Sequence, residues 1–237
     1  MLEPKGRVIM VSGASRGIGL AVVKALHAKG YTVSAGARNP DALAATLASL
    51  AGERLMTARY DAEDRATQSA WVDATVEKFR RLDGIVNNAG TSNTFSIDAG
   101  EESALDQLFA INIKGPLFLT RFAMPHLRKA GTGRVINVAS LSGKRVKNDN
   151  VAYAMTKHAL MAMTHSTRRI GWDDGVRATA VCPSFVDTDL TAGVTRVARG
   201  EMIDAADLAE LIATASALPH HAVVAEMLVN CRLEDLF

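Results

Sequence analysis

Short apolar runs alternate with helix-like patterns along almost the whole chain of 237 residues. The first run, Val8-Ile9-Met10-Val11, is followed by a turn and then by apolar residues at helical spacing up to Leu26. An unbroken apolar run of this length is typical of a strand buried on both faces of a parallel sheet. The pattern predicts strands at 7–11, 31–37, 54–60, 83–87, 134–139, 177–182 and 223–229, and, after the first helix, helices at 41–50, 66–79, within 101–129, 151–170 and 205–218.

This alternation predicts an α/β fold of the Rossmann type, in which a doubly wound parallel sheet of about seven strands has helices on both faces. The chain is 48% hydrophobic and has neither a linker-like segment nor an internal repeat, so a single domain over 1–237 is expected. Ligands of such folds bind beyond the carboxyl ends of the strands, and functional residues are therefore sought in the segments that follow them.

The charges and the rarer residue types argue against several classes of partner. Lys and Arg number 27 and Asp and Glu 25, so a net charge of +2 gives no electrostatic reason to expect nucleic acid or a membrane surface. Two cysteines, Cys182 and Cys231, are too few for a disulfide framework, and the six histidines form no metal-binding pattern. The start lacks the apolar region of a signal peptide, and no apolar run reaches the roughly 18 residues that span a bilayer. We therefore expect a soluble cytoplasmic protein without a bound metal.

A glycine-rich segment lies where the first strand meets the first helix. It reads Ser12-Gly13-Ala14-Ser15-Arg16-Gly17-Ile18-Gly19, with the glycines spaced Gly-x-x-x-Gly-x-Gly. Backbone amides and the helix dipole favour a pyrophosphate at such a place, and glycines permit a tight turn and close approach of the backbone to the ligand. Dinucleotide binding is therefore predicted, although the glycines could merely ease the turn. The predicted contacts are Gly13, Ser15, Arg16, Gly17, Ile18 and Gly19.

The end of the second strand bears on which dinucleotide is bound. A carboxylate there would favour NAD, because it accepts hydrogen bonds from the ribose hydroxyls. The sequence instead has Arg38, which together with Arg16 could hold a 2′-phosphate. NADP(H) is therefore expected to be preferred, with NAD(H) as the alternative if both arginines are only solvated. Asp61, with Ala62 beside it, follows the third strand and is predicted to contact the adenine, although an ordinary turn aspartate would look the same.

Tyr153 and Lys157 stand four residues apart on a predicted helix, so both project from the same face. An adjacent cation favours the phenolate, and we expect it to lower the pKa of Tyr153 toward the working pH of an acid-base catalyst. The pair alone is weak support, because such spacing is common on solvated helix faces.

Together these motifs resemble the short-chain dehydrogenase/reductase family in its compact one-domain branch, over nearly the whole chain. The glycine loop matches the cofactor loop of the family, and Asn87-Asn88-Ala89-Gly90 matches a motif that lines the nicotinamide-ribose side. Asn88, Ala89 and Gly90 are accordingly expected to contact the cofactor. The catalytic tetrad of the family is matched by Asn112, Ser140, Tyr153 and Lys157.

The resemblance implies hydride transfer between NADP(H) and a small-molecule carbonyl or alcohol. Tyr153 would be the general acid or base, and Ser140 would hold the substrate oxygen. Lys157 would bind the nicotinamide ribose and lower the pKa of the tyrosine, and Asn112 would hold a water that relays protons. Ser140 and Asn112 could also simply cap or turn the backbone.

The segment after the sixth strand resembles the family's nicotinamide contact, with Pro183, Val186 and Thr188 as predicted cofactor-binding residues. Ser184 stands where the family usually has glycine. Serine does not readily adopt a left-handed backbone conformation, so a local departure from the family's backbone is expected there.

A short substrate lid is implied at about 188–204, with Gly193 and Gly200 as candidate hinges. Cationic residues flank the expected mouth of the site and could favour substrates with an anionic group, although solvated surface charge is the simpler account. These residues are Lys144, Arg145, Lys147, Arg196 and Arg199.

Apolar stretches at 116–122 and 159–163 fall on helices that pair between subunits in the family, and the tail 233–237 could form another interface. A homo-oligomer is therefore expected. Three rival functions remain: an NAD-linked alcohol dehydrogenase of the same family, a nucleotide-sugar epimerase or dehydratase, and a cofactor-binding regulator without turnover. The epimerase reading usually requires a larger carboxyl-terminal substrate domain than this chain offers.

Overall fold

In this computed structural model, which describes residues 1–147 and 149–234, seven strands form one parallel sheet. The strands are β1 (Val8–Ser12), β2 (Thr32–Ala37), β3 (Leu55–Arg59), β4 (Gly84–Asn87), β5 (Arg134–Val138), β6 (Arg177–Pro183) and β7 (Glu226–Val229). Their order is β3-β2-β1-β4-β5-β6-β7. Every residue of β1, β4, β5 and β6 is buried, as the unbroken apolar runs predict.

Helices cover both faces of the sheet. They are α1 (Gly17–Ala28), α2 (Pro40–Thr46), α3 (Arg65–Phe79), α4 (Glu102–Phe109), α5 (Gly115–Ala130), α6 (Val151–Gly171) and α7 (Ala205–Ala217). Apolar residues of α1, α2 and α7 pack in one core with β1 and β2, and those of α3 and α5 pack in a second core on the opposite face. The prediction of a doubly wound α/β fold is thus confirmed.

The predicted helical stretch 101–129 is interrupted by a π-helical turn, Ala110–Lys114. The Gly115 N–H donates to the Ala110 carbonyl five residues back, and Pro116 has no N–H with which to continue the ordinary pattern. Asn112 lies in the middle of this turn. The last strand is also shorter than predicted and begins at Glu226. The carbonyls of Val224 and Ala225 accept single hydrogen bonds from β6, and these do not form a regular ladder of strand pairing.

The strand order reverses between β1 and β4. Strands β2 and β3 lie on one side of β1, and strands β4 to β7 lie on the other side. A crevice therefore opens beyond the carboxyl ends of β1 and β4. The glycine loop follows β1, and the 87–90 motif follows β4. Within the described part of the chain, no helix combines the length and the apolar character that crossing a membrane requires.

Candidate active site

The glycine loop is packed against the backbone that follows β4. Gly13 has a φ of +66°, and a Cβ built on it would lie 2.8 Å from the Ala89 Cα. A Cβ on Gly19 would lie 2.2 Å from the Gly13 carbonyl oxygen. The Asn88 amide donates to the carbonyls of Ser12 and Gly13 at 3.0 and 3.1 Å. Only glycine fits at Gly13 and Gly19, and the loop therefore has one tightly fixed shape.

The first turn of α1 contains no acidic residue, so the positive end of the helix dipole is not neutralised by a neighbouring carboxylate. Beside it, Gly17 has a φ of +53° and lies against Thr188, to which a Cβ would approach within 3.1 Å. The amino terminus of α1 thus presents backbone to a cleft of about 480 Å³. This arrangement suits the pyrophosphate of a dinucleotide.

Lys157 is the charged group at the opposite end of the cleft. Its side chain, on α6, is 7% exposed, and its Nζ donates to the Val138 carbonyl at 3.0 Å and lies 5.4 Å from the centre of the Tyr153 ring. Burial lowers the pKa of Lys157 to about 8. The ammonium therefore keeps its charge at neutral pH while lying next to the phenol.

Burial raises the pKa of Tyr153 to about 12, and hydrogen bonding with Ser140 opposes this shift only in part. The expectation of a lowered pKa is wrong for this structure. The sequence shows the lysine one helical turn away, but it does not show the loss of solvent around the phenol, and that loss dominates. The hydroxyl of Tyr153 is thus protonated at neutral pH.

Asn112 is buried and does not line the cleft. Its Nδ2 donates to the Thr91 carbonyl at 2.9 Å and to Thr156 Oγ1 at 3.2 Å, and its Oδ1 accepts from the Thr91 N–H at 2.9 Å. Both amide hydrogens are therefore used in tying the segment after β4 to α6. Its expected role in holding a water stays a prediction.

Arg38 and Arg16 lie at the end of the cleft away from Tyr153. Arg38 is exposed, lines the cleft, and within the described residues forms neither an ion pair nor a hydrogen bond with another side chain. Arg16 differs, because its Nη1 lies 3.0 Å from Asp189 Oδ2 across the cleft. Arg16 is thus shared between the phosphate loop and the segment after β6, a pairing that the sequence did not reveal.

Asp61 and Ala62 line the cleft after β3. The Asp61 Oδ1 accepts from the Glu63 N–H at 3.0 Å, which fixes the carboxylate in a turn. The turn role of Asp61 is therefore observed, whereas the predicted adenine contact stays a prediction.

Ser184 causes no backbone strain. In the described chain the only non-glycine residue with a positive φ is Arg80, so the serine adopts an ordinary conformation. The Ser184 N–H donates to the Val229 carbonyl at 2.8 Å, and its Oγ accepts from the Cys231 N–H at 2.9 Å. The side chain that glycine would lack thus anchors the chain after β7.

The structure brings the predicted cofactor-binding residues together along one cleft, with a single exception. Gly19 packs beneath the loop instead of lining it. The lining members are Gly13, Ser15, Arg16, Gly17, Ile18, Arg38, Asp61, Ala62, Asn88, Ala89, Gly90, Tyr153, Lys157, Pro183, Val186 and Thr188, and Ser140 joins them.

Several lining residues were missed by the sequence reasoning. Thr91 directly follows the 87–90 motif and Asp189 directly follows Thr188, so proximity to a motif could have found both. Tyr60, Gln107 and Ile111 also line the cleft, and no local pattern distinguishes them from ordinary core or helix residues.

The segment predicted as a lid, 188–204, is closed at its base. Val186 and Ile203 form a parallel bridge, and Val197 is 2% exposed within the segment. Of the cationic residues predicted around the mouth, Lys144 pairs with Glu226 at 2.7 Å and Arg199 pairs with Asp187. Neither lines the cleft, so their charges are not offered to a ligand there.

The glycine loop and the Ser140, Tyr153 and Lys157 cluster lie along one cleft at the carboxyl ends of the parallel strands. The family model for the short chain dehydrogenases matches residues 7–198. The chain therefore belongs to the short-chain dehydrogenase/reductase family.

Two relatives illustrate the range of similarity. An agropine synthesis reductase of Rhizobium rhizogenes is 42% identical over 230 residues, which are 97% of this chain and 53% of that protein, so this chain spans about half of its length. An uncharacterized oxidoreductase of Staphylococcus saprophyticus is 30% identical over 233 residues, which are 97% of this chain and 99% of that protein.

Two solved structures share the fold. An alcohol dehydrogenase from the archaeon Thermococcus sibiricus, complexed with 5-hydroxy-NADP, has a TM-score of 0.86 and 24% identity and covers 94% of this chain and 95% of its own. A 3-ketoacyl-(acyl-carrier-protein) reductase from Brucella melitensis, complexed with NADH, has a TM-score of 0.88 and 23% identity and covers 96% and 98%.

Proposed function

We propose that the protein transfers hydride between NADP(H) and a small-molecule carbonyl or alcohol, with Tyr153 as the general acid or base. One observation supports this most directly. A protonated phenol, the Ser140 hydroxyl and a buried ammonium line one end of a continuous cleft, and the exposed guanidinium of Arg38 lines the other end.

The residues divide the chemistry between them. Bound NADPH supplies the hydride, which adds to the carbonyl carbon. The proton goes from Tyr153 Oη to the carbonyl oxygen, so an alcohol forms and a phenolate remains. A pKa of about 12 keeps Tyr153 ready as the donor at neutral pH. Ser140 donates a hydrogen bond to the same oxygen, and the ammonium of Lys157 stabilises the phenolate until it is reprotonated.

The preference for NADP(H) rests on Arg38 and Arg16. No carboxylate stands at the end of β2 to accept from ribose hydroxyls, whereas the exposed guanidinium of Arg38 suits a 2′-phosphate. The two solved relatives carry one cofactor of each type, so likeness of fold does not decide the preference. The name of the agropine synthesis reductase supports the reductive direction.

A panel of aldehydes and ketones with NADPH, followed at the absorbance of the reduced nicotinamide, tests the proposal. Tyr153→Phe is expected to lower kcat about 10²- to 10⁴-fold, because the proton donor is lost while the shape of the site is kept. NADPH affinity is expected to change less than about twofold, since the hydroxyl acts on the substrate oxygen.

Tyr31→Phe is the matched control. Tyr31 is fully buried at the amino end of β2, whereas the cleft lies at the carboxyl ends of the strands, and its hydroxyl has no hydrogen-bond partner among the described residues. Turnover by Tyr31→Phe should equal that of the wild type. If Tyr153→Phe kept its turnover within a few-fold, the assigned proton donor would be wrong.

Homo-oligomerisation through α5 and α6 stays a prediction. Leu117, in the predicted stretch of α5, is 44% exposed and would be covered by such pairing, whereas Leu160 and Met161, in the predicted stretch of α6, are buried. The tail interface predicted at 233–237 lies mostly outside the described residues.

A further inference from the structure

A second cavity, of about 360 Å³, adjoins the cofactor cleft and shares Ser140 and Tyr153 with it. Its wall combines the loop after β5, the segment after β6 and the chain after β7. The described residues that line it include one carboxylate, Glu234, and four cationic side chains, which are Arg145, Lys147, Arg196 and Arg232. Among the described residues that line this cavity, cationic side chains therefore outnumber carboxylates.

Arg145 is the best buried of these cations. Its side chain is 12% exposed and that of Glu234 is 11% exposed, and Arg145 Nη2 donates to Glu234 Oε2. Among the described residues, Arg145 Nε and Glu234 Oε1 are both buried without a hydrogen-bond partner. Glu234 therefore bonds to only one of the two N–H groups on this edge of the Arg145 guanidinium. The same edge could hold a carboxylate through two parallel hydrogen bonds.

The segment that carries Glu234 has contacts on one side and solvent on the other. The Cys231 N–H is bonded to Ser184 Oγ at 2.9 Å, but Leu233, next to Glu234, is 99% exposed. Within the described residues, Glu234 contacts the cavity wall through its ion pair with Arg145.

Arg196 and Arg232 add positive charge to the wall of this cavity. The Arg196 guanidinium lies 4.8 Å from the centre of the Phe185 ring, and Arg232 Nη1 donates to the Arg196 carbonyl at 3.3 Å. Neither side chain forms an ion pair within the described part of the chain. Their field favours an anion over a neutral group in the same cavity.

We propose that this cavity binds a carbonyl compound that carries a carboxylate, that Arg145 holds the carboxylate, and that Glu234 is an internal competitor which the substrate displaces. The inference rests on the proposed function, because that function puts the reacting carbonyl between Ser140 and Tyr153. The carboxylate end of the substrate then lies toward Arg145, away from the nicotinamide end of the cleft.

Calorimetric titration in the presence of saturating NADP⁺ tests the substrate class without turnover, because the oxidised cofactor cannot reduce the probe. The probes are 4-oxopentanoate and 6-oxoheptanoate, each compared with its neutral amide. At least one carboxylate is expected to bind roughly 10- to 100-fold more tightly than its amide. Arg145→Gln should remove this difference and leave amide binding unchanged.

Glu234→Gln is the second variant, and it removes the competing charge while keeping the side-chain shape. It should tighten carboxylate binding roughly 3- to 10-fold and leave amide binding unchanged. Lys144→Gln is the control, since Lys144 lies in the same loop as Arg145 but pairs with Glu226 outside the cavity. Lys144→Gln should change neither carboxylate binding nor amide binding.

Equal binding of both carboxylates and their amides by the wild type, or no tightening in Glu234→Gln, would overturn the proposal. If Arg145→Gln did not fold, Glu234→Gln would still decide. NADPH turnover of a neutral ketone is measured separately, so failure of the reductase assignment and failure of carboxylate recognition give different results.

Discussion

At the catalytic end of the cleft Lys157 is 7% exposed and bonded to the Val138 carbonyl, whereas at the other end the Arg16 side chain is 75% exposed and paired with Asp189. The buried end has altered pKa values, at Lys157 and Tyr153, and its groups are tied to strands and helices. The exposed end consists of charges in water that salt can screen.

The contrast separates two properties of the enzyme. In the proposed function, proton transfer depends on buried groups whose positions are fixed by several elements at once, so changes to these groups should lower turnover severely. The proposed cofactor preference depends instead on exposed charges, each of which contributes a modest free energy, so it should change without affecting turnover. The following variants test this separation, starting with the largest effect.

Lys157→Met should lower turnover while raising the free energy of unfolding. Turnover is expected to fall about 100-fold or more, because no charge remains to stabilise the phenolate. The lowered pKa implies that burying the ammonium costs on the order of 3 kcal/mol. Methionine avoids this cost but loses the hydrogen bond to the Val138 carbonyl, so we expect the free energy of unfolding to rise by about 1–2 kcal/mol.

The gain in stability should depend on pH. Below pH 8 Lys157 is charged in both the folded and the unfolded chain, so the full penalty applies. Between that pH and the ordinary lysine pKa, the folded chain loses the proton first, the wild type becomes relatively more stable, and the gain shrinks. Thermal denaturation at neutral and alkaline pH measures this, with Lys24→Met, an exposed lysine of α1, as the control. A less stable Lys157→Met protein at neutral pH would contradict the account.

Gly19→Ala tests the junction on which both ends of the cleft depend. The added Cβ would lie 2.2 Å from the Gly13 carbonyl oxygen and 2.5 Å from Asn88 Nδ2, so backbone must move. We expect a loss of about 1–3 kcal/mol in the free energy of unfolding and weaker binding of both dinucleotides. Gly193→Ala has open space around the added atom and should be neutral in denaturant unfolding. Equal stability of the two variants would show that the loop is not tightly packed.

Asp189→Asn tests the exposed end of the cleft, and we expect it to change cofactor binding less than the other variants change what they test. The ion pair of Arg16 with Asp189 is solvent-exposed, so releasing Arg16 should strengthen NADPH binding only about two- to fivefold, and less at high salt. NADH binding should not change. Asp187→Asn, which affects an ion pair outside the cleft, serves as the control. Weaker NADPH binding in Asp189→Asn would mean that the pair supports the site instead of competing with it.

The sequence predicted the buried end well because its residues belong to local patterns. The strand-to-helix glycine loop, the motif after β4 and the four-residue spacing of Tyr153 and Lys157 each occupy one short segment. Packing of these segments on a regular parallel sheet follows from the alternation of strands and helices. Local sequence patterns were therefore sufficient to predict most of the fold and most of the residues that line the cleft.

The sequence failed where the outcome depends on distant partners or on solvent. Arg16 and Asp189 are 173 residues apart, and Arg145 and Glu234 are 89 apart, so no spacing rule pairs them. The direction of the Tyr153 pKa shift depends on burial by several elements, whereas the sequence shows only the neighbouring lysine.

The most direct test of this separation is a fluorescence titration of the protein with NADPH and NADH, with Arg38→Asp and the control Arg59→Asp measured alongside. Arg59 ends β3 in register with Ala37, but it does not line the cleft. We predict that the wild type binds NADPH more tightly, that Arg38→Asp weakens NADPH binding about 10- to 100-fold without weakening NADH binding, and that Arg59→Asp changes neither. NADH binding as tight as NADPH binding in the wild type, or the same loss in Arg59→Asp, would contradict the assignment of cofactor preference to Arg38.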